Sequence, residues 1–421
     1  MGTEEQAARS FLDELVKEFP GPLGPEQPLP VSPLSGTVSQ AEIRGECLDV
    51  ALRLLRARNA PEGLSAALSH AAVAELLKSD LSAFAQEQEQ AAPLMRSEPL
   101  QRRFLNELLE VCRARQQSRE PPPAGRRFLR ASAHAIRNAR RKMEDRHVVL
   151  THFNQLFGLE DQTERSYFAV FDGHGGVDAA TYAATHLHVN VGQHEALLSD
   201  PALALKSAFT QTDDMFREKA SRERLRSGST GVAVLLAGDC LHVAWLGDSQ
   251  AMLVREGQVV TLMEPHKPER EDEKKRIEDL GGCIAFMGCW RVNGTYAVSR
   301  AIGDFDQKPY VSGEPDGASF PLGGAEDFLL LACDGFFDAV QPREAAGAVL
   351  EHLRQAGGAA AGAAEGLVAL ARGRGSTDNI TVLLVFLREP REVLRGAGRR
   401  PDEPPAEFVF FRDDGGRDEA Q

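Results

Sequence analysis

A recurring arrangement of acidic residues at the ends of apolar runs is the feature of this sequence with the clearest chemistry. "YFAVFDGHGG" runs into Asp172, then presents His174 among Gly173, Gly175 and Gly176. "LLLACDGFFDAV" does the same at Asp334-Gly335, with Asp338 four residues on. "LHVAWLGDSQAML" holds Asp248 in a tight turn, "GSTDNITVLLVFL" puts Asp378-Asn379 before an apolar run, and "RRKMEDRHVVL" puts Glu144-Asp145 before another. Taken singly, each is an ordinary turn residue; the repetition argues for a site where loops meet a rigid scaffold. The donors are hard oxygens, with no sulfur or imidazole consensus, which suits Mg²⁺ or Mn²⁺ rather than zinc. Crowded carboxylates repel, so such a set is stable chiefly around a cation. Two divalent ions sharing a carboxylate and a water make a nucleophile at neutral pH and clamp the oxygens of a phosphoryl transfer.

The elements that must position these acids are legible from periodicity. From about Phe128 the chain alternates short β-like runs ("RHVVL", "YFAVF", "GVAVLLAG", "LHVAWLG", "DFLLLAC", "ITVLLVFL") with helical stretches ("VDAATYAATHLH", "ALALKSAFTQTDDMFREKA", two more after Pro342). The runs flanking "REGQ" are too close for a helical crossover and predict an antiparallel hairpin. The expected class is α+β, helices packed on sheet. Before this lies a helical region, residues 1–125. It includes "SFLDELVKEF", predicted to start at the Ser10 cap, and three longer amphipathic stretches with apolar residues three and four apart. The proline run in "SREPPPAGRR" marks the boundary to a unit spanning 126–390. Residues 391–421, rich in Gly, Pro, Arg and acids, read as a disordered tail. The Gly-, Pro- and Ser-bearing stretch Phe305–Asp327 is expected to form a substrate-selecting flap beside the site.

"RRKMED", "FDGHGG", "GSTG", "AWLGDSQ", "AVSRAIGD", "ACDGFFD" and "DNIT" occur in the order found in the type 2C metal-dependent serine/threonine phosphatases, the PPM family, which residues 128–388 resemble. The helical first third is similar to that of the calmodulin-dependent-kinase phosphatase branch, which includes partners of PIX exchange factors. The resemblance implies an α-β-β-α sandwich of two antiparallel sheets with two Mg²⁺ or Mn²⁺ ions at one end. It implies that Asp172 bridges them, that Gly173 offers its carbonyl, and that Glu144 and Asp145 contribute directly or through water. Asp334 and Asp378 would complete the first site, and Asp248 and Asp338 match acids that bind a third ion in some relatives. Arg140 would hold the substrate phosphate, a role residue type alone does not separate from Arg141. His174 would protonate the leaving alkoxide, or else hydrogen-bond a metal-bound water, and Asn379 would orient Asp378. The implied reaction is hydrolysis of phosphoserine or phosphothreonine by a water activated by two metals, without a covalent intermediate. The implied substrates are activated kinases such as calmodulin-dependent or p21-activated ones, with a PIX-type exchange factor as a partner of the first third.

Bulk properties narrow the alternatives. A formal charge of −14, from 62 acidic and 48 basic residues, opposes a nucleic-acid binder and the rival reading of a metal-dependent nuclease. The six scattered cysteines form no Cys-x-x-Cys pair, against a zinc site or a disulfide framework. No apolar stretch approaches the roughly 20 residues of a membrane span, and the first residues lack the core of a signal peptide, so the expected compartment is the cytosol. Gly2 lacks the Ser or Thr at position 6 that myristoylation wants. Cys47 and Arg53 have cysteine-phosphatase spacing but lie on an amphipathic helix without a phosphate-cradling glycine loop, so Cys47 is assigned to the core. A non-enzymatic scaffold built on the helical arm is the remaining alternative.

Overall fold

The computed structural model describes residues 3–86, 93–118 and 127–396. Two five-stranded sheets form its centre. One orders strands Gln258–Thr261, Gln250–Arg255, Glu326–Ala332, Ile380–Phe386 and Arg130–Ile136. The other orders Asp316–Pro321, Cys240–Leu246, Gly231–Ala237, Arg165–Phe171 and Arg146–Leu150. Every neighbouring pair within them is antiparallel. The expected hairpin turns at Glu256-Gly257, pairing Val254 with Val259.

The central strands read as unbroken apolar runs because both of their faces are buried. Phe168 and Val170 face the layer between the sheets, where they meet Val234, Val243, Leu329, Leu331 and Leu383. Their neighbours Tyr167, Ala169 and Phe171 face the opposite way, under helices Asp178–Gln193 and Pro201–Glu223. On the other sheet, Phe328, Leu330 and Ala332 face helices Pro342–Gln355 and Ala363–Gly373. The expected four-layer sandwich is the fold observed.

Helices Thr3–Glu18, Ile43–Arg56, Glu62–Lys78 and Ser97–Ser118 make up the first third. The first begins before Ser10, whose hydroxyl bonds Glu14 across one turn instead of capping; Glu4 and Glu5 occupy the first turn, where acids suit the helix dipole. These helices share one hydrophobic cluster with the sandwich: Leu12, Leu48, Leu55, Val73 and Leu105 are continuous with Phe153, Leu187 and Tyr167. Polar contacts reinforce the seam, with Arg56 donating to the Val149 carbonyl at 2.7 Å and Arg222 pairing with the buried Glu42 at 3.3 Å. The linker expected to separate the two units, at Pro121–Pro123, lies outside the described residues.

Two expectations are corrected here. Phe305–Asp327 is not a flap: Asp316–Pro321 is an edge strand paired with Cys240–Leu246, and Glu326 and Asp327 open the next strand. Nor does the tail begin at 391, because helix Pro390–Gly396 seats Val393 in the core; residues 397–421 lie outside the described region. No helix among the described residues is long and apolar enough to cross a membrane.

Candidate active site

The acids singled out by their positions, Asp338 excepted, converge on one end of the sandwich. Asp172 and Asp334 follow the ends of strands Arg165–Phe171 and Glu326–Ala332, while Asp145 and Asp378 precede strands Arg146–Leu150 and Ile380–Phe386. Antiparallel pairing puts these ends together, Arg146 opposite Phe171 and Ala332 opposite Val382. Asp248 sits where the chain leaves one sheet, at Leu246, and enters the other at Gln250. The loops close tightly because two glycines allow it. A Cβ on Gly173 would lie 2.5 Å from the Glu144 carbonyl oxygen, and one on Gly335 would lie 2.0 Å from that of Asn379. The first contact locks Glu144 to the Asp172 turn; the second locks Asp378 to the Asp334 turn.

The result is a cleft of about 760 Å³ lined by Glu144, Asp172, Gly173, Asp248, Asp334 and Asp378 at its acidic floor, with Arg140, His174 and Asn379 beside them. Asp145 lies behind this floor, 3% exposed, accepting from Thr381 Oγ1 at 2.6 Å. One oxygen of Asp145, one of Asp172 and the Cys333 sulfur lie within 4.8 Å of one another. Burial and the neighbouring carboxylates push the Cys333 thiol pKa well up, and its sulfur accepts from the Thr381 amide at 3.2 Å. Asp338 stands apart from the cleft lining, 62% exposed and 3.2 Å from Lys267 Nζ.

The electrostatics are those of a site built around positive charge. Burial, then the charges of Asp334, Asp145 and Asp248, raise the Asp172 carboxyl far above the usual range. Burial also raises Asp334, although its hydrogen bond with Asp172 works the other way. Asp248 is pushed up to about 8 by burial and by Asp334, and Asp145 to about 6, mainly by burial. The second Asp145 oxygen is buried without a hydrogen-bond partner. Carboxylates that crowd one another and leave lone pairs unused fit a Mg²⁺ or Mn²⁺ site, since a cation relieves both costs.

Arg140 reaches into the cleft on the Asp378 carboxylate. Arg141 and Lys142 line the same rim without an ion pair among the described residues. Asn379 orders this rim: its side-chain oxygen accepts from the Glu144 amide at 2.8 Å, and its amide donates to the Arg137 and Lys142 carbonyls at 2.9 and 3.0 Å. It thus braces the Arg140–Glu144 loop, and its backbone amide donates to Asp378 Oδ1 at 2.7 Å. His174 Nε2 lies 2.6 Å from Asp304 Oδ2, and Asp304 is 1% exposed. Burial pulls the His174 pKa down, but this hydrogen bond and the Asp304 charge outweigh it and raise the pKa. Sequence reasoning assigned Asp304 nothing; the Gly-Asp that closes "AVSRAIGD", repeating the Gly-Asp at 247–248, was the available signal.

Residues 129–380 match the pattern of the Protein phosphatase 2C family. Protein phosphatase 1F of Rattus norvegicus is 56% identical over 92% of this chain and 89% of its own length. Protein phosphatase 1F of Homo sapiens is 54% identical over 97% and 93%. Protein phosphatase 1E of Homo sapiens is 49% identical over 94% of this chain and 53% of its own length. A solved structure of a C. elegans sex determining protein superposes over 95% of this chain and 99% of its own, with a TM-score of 0.73 and 22% identity. A serine-threonine phosphatase 2C from Toxoplasma gondii covers 64% of this chain and 97% of its own at a TM-score of 0.56 and 23% identity. With the acidic cleft, the sandwich and these relatives in agreement, the chain belongs to the protein phosphatase 2C family and is a serine/threonine protein phosphatase.

Proposed function

We propose that this phosphatase removes phosphate from phosphoserine and phosphothreonine of signalling proteins, activated calmodulin-dependent or p21-activated kinases among them, by direct attack of water. The observation that carries the reading is the convergence of Asp172, Asp334, Asp378 and Asp145 at one sandwich end beside Arg140, the rim arginine paired with Asp378. Asp172, the Gly173 carbonyl, Asp334 and Asp378 would hold Mg²⁺ or Mn²⁺, with Glu144 and Asp145 contributing directly or through water, and Asp248 and Asp338 offering a weaker third position. Bound there, the ions supply an acidified water and neutralise charge on the phosphoryl oxygens.

The chain's own groups do the rest. Arg140 presents a planar fork that matches two phosphate oxygens, and its attachment to Asp378 aims it over the floor. Because Asp304 occupies Nε2 of His174 and favours its charged form, Nδ1 is the nitrogen that hands a proton to the leaving alkoxide. The rim residues Arg141, Lys142 and Arg226 draw an anionic substrate toward a floor that would repel it without cations. The helical first third is the surface offered to a partner such as a PIX-type exchange factor. The scattered cysteines, with no Cys-x-x-Cys pair, suit a reducing compartment such as the cytosol.

The test is dephosphorylation of a phosphothreonine peptide by the full chain with Mn²⁺ or EDTA, alongside Arg140→Ala. Activity should require the metal. Arg140→Ala should raise KM about tenfold or more with a smaller fall in kcat, because it removes ground-state binding. Hydrolysis undiminished by EDTA, or a greater loss in Arg141→Ala than in Arg140→Ala, would overturn the assignment.

A further inference from the structure

Beside the cleft stands a hairpin of strands Ile284–Phe286 and Trp290–Val292 whose tip is bare. Phe286 is 64% exposed, Met287 63% and Trp290 39%. These are three of the eight exposed large apolar side chains among the described residues, gathered in five consecutive positions. Phe286 and Trp290 meet edge to face, with ring centroids 5.3 Å apart, so the tip carries a preformed aromatic corner. Exposed apolar residues scattered singly need no explanation, whereas a cluster of this kind marks a binding surface.

The base of the hairpin is anchored as firmly as its tip is free. Val292 and Ile284 pack with Ile277, Val298, Ala301 and Val311 in a small separate core. Cys283 and Asn293 are joined by two hydrogen bonds, of 2.8 and 3.0 Å. The anchor continues into the site: the Val292 amide donates to the Tyr296 carbonyl at 2.8 Å, Arg291 Nη1 donates to the Thr295 carbonyl at 2.6 Å, and the Tyr296 ring lies 6.0 Å from that of His174. Arg291, Thr295 and Tyr296 themselves line the cleft. A rigid ledge therefore runs from the catalytic histidine to the aromatic corner. Its length is at most the 6.0 Å ring contact, the cross-strand step from Tyr296 to Val292 and two strand residues, so roughly 10–18 Å at about 5 Å across the bridge and about 3.3 Å per residue.

We infer that Phe286, Met287 and Trp290 form a docking surface for an apolar side chain of the phosphoprotein substrate, carried on an extended segment about three to five residues from the phosphorylated one. The inference rests on the phosphatase reading of the cleft and names what that cleft selects. The occupant follows from continuity: whatever presents phosphate to Arg140 in extended form must run over this ledge or away from it, and the ledge rewards an apolar residue by desolvation. Such contacts add to binding of a long substrate and leave a short one unaffected.

The experiment uses the full chain with Mn²⁺ and three substrates: an aryl phosphate, a phosphothreonine peptide with glycine at the flanking positions, and the same peptide with a single leucine walked from two to five residues away on either side. The leucine peptide should exceed the glycine peptide by about tenfold in kcat/KM, through KM, at one or two adjacent positions. That advantage should vanish in Phe286→Ser/Met287→Ser, whose replaced side chains are solvent-exposed, and should be reduced in Trp290→Ala. Hydrolysis of the aryl phosphate, too short to reach the tip, should not change. No leucine preference in the parent chain, or a preference that survives the double substitution, would overturn the inference, as would equal loss on all three substrates. A preference that varies with enzyme concentration would overturn it in favour of a second copy as occupant. Failure of the parent chain on every substrate would instead refute the phosphatase reading itself.

Discussion

At the scale of single residues the site is a negotiation among like charges. Asp172 and Asp334 share a hydrogen bond because each sits where a carboxylate is hard to ionise beside the other. Asp334→Asn keeps the shape and removes one of the repelling charges. It should abolish most turnover, leave the melting temperature in EDTA equal to or above that of the parent, and shrink the rise on adding Mn²⁺, which in the parent reflects a stabilisation of about 2.7 kcal/mol when the ion stands at a hundred times its Kd. Thermal melts of both proteins with EDTA and with Mn²⁺ check this. A turn aspartate with a purely structural role gives the reverse: a lower melting temperature in EDTA and an undiminished metal response. Cys47 shows how local pattern misleads at this scale. Its spacing to Arg53 imitates a nucleophile, yet it is buried in the helical cluster and its thiol is pushed upward by burial, so it stays inert.

Among the elements, the loops converge because backbone touches backbone where glycine permits it. Gly335→Ala must open the 2.0 Å approach to the Asn379 carbonyl and so move Asp378 away from Asp334. We expect a loss of at least about 1–3 kcal/mol of stability and a large fall in metal-dependent activity, read from denaturant melts and Mn²⁺ titration. The seam between helices Ile43–Arg56 and Asp178–Gln193 makes a second prediction. His186, 1% exposed against the Tyr182 ring, has its pKa lowered to about 4, by burial first and by Lys219, with Glu42 opposing. The folded state therefore resists a proton that the unfolded chain accepts near the ordinary 6.5. Its contribution is complete above the unfolded pKa and is lost as pH falls from there toward the folded one, at up to about 1.4 kcal/mol per pH unit. Melts from pH 7.5 to 4.5 should show the parent losing stability faster than His186→Phe; parallel curves would remove this histidine from the acid response.

For the whole molecule, the first third and the sandwich share one core, so their chemistry and their stability separate differently. Every candidate metal and phosphate residue lies within 140–378, yet Leu48, Leu55 and Val73 help bury Phe153 and Leu187 of the sandwich. A chain starting at residue 127 should keep activity on an aryl phosphate in the cold but melt about 10 °C or more below the full chain, checked by calorimetry beside the activity assay. An unchanged melting temperature would show the helices to be an independent arm. The sequence by itself determined the strands, the acids at their ends and the family, because apolar runs bounded by Asp-Gly turns and ordered motifs are local signals. It placed Arg140 only through that family pattern. Tertiary structure alone decided that Asp304 serves His174 across 130 positions of sequence, at 2.6 Å. It also decided that Asp145 lies behind the floor while Asp338 stands outside it, and that the wall beside the cleft is built from Arg291–Val298 and not from Phe305–Asp327. The reason is the same throughout: periodicity reports which face of an element is buried, whereas the identity of what buries it depends on register and on close loop contacts between distant segments.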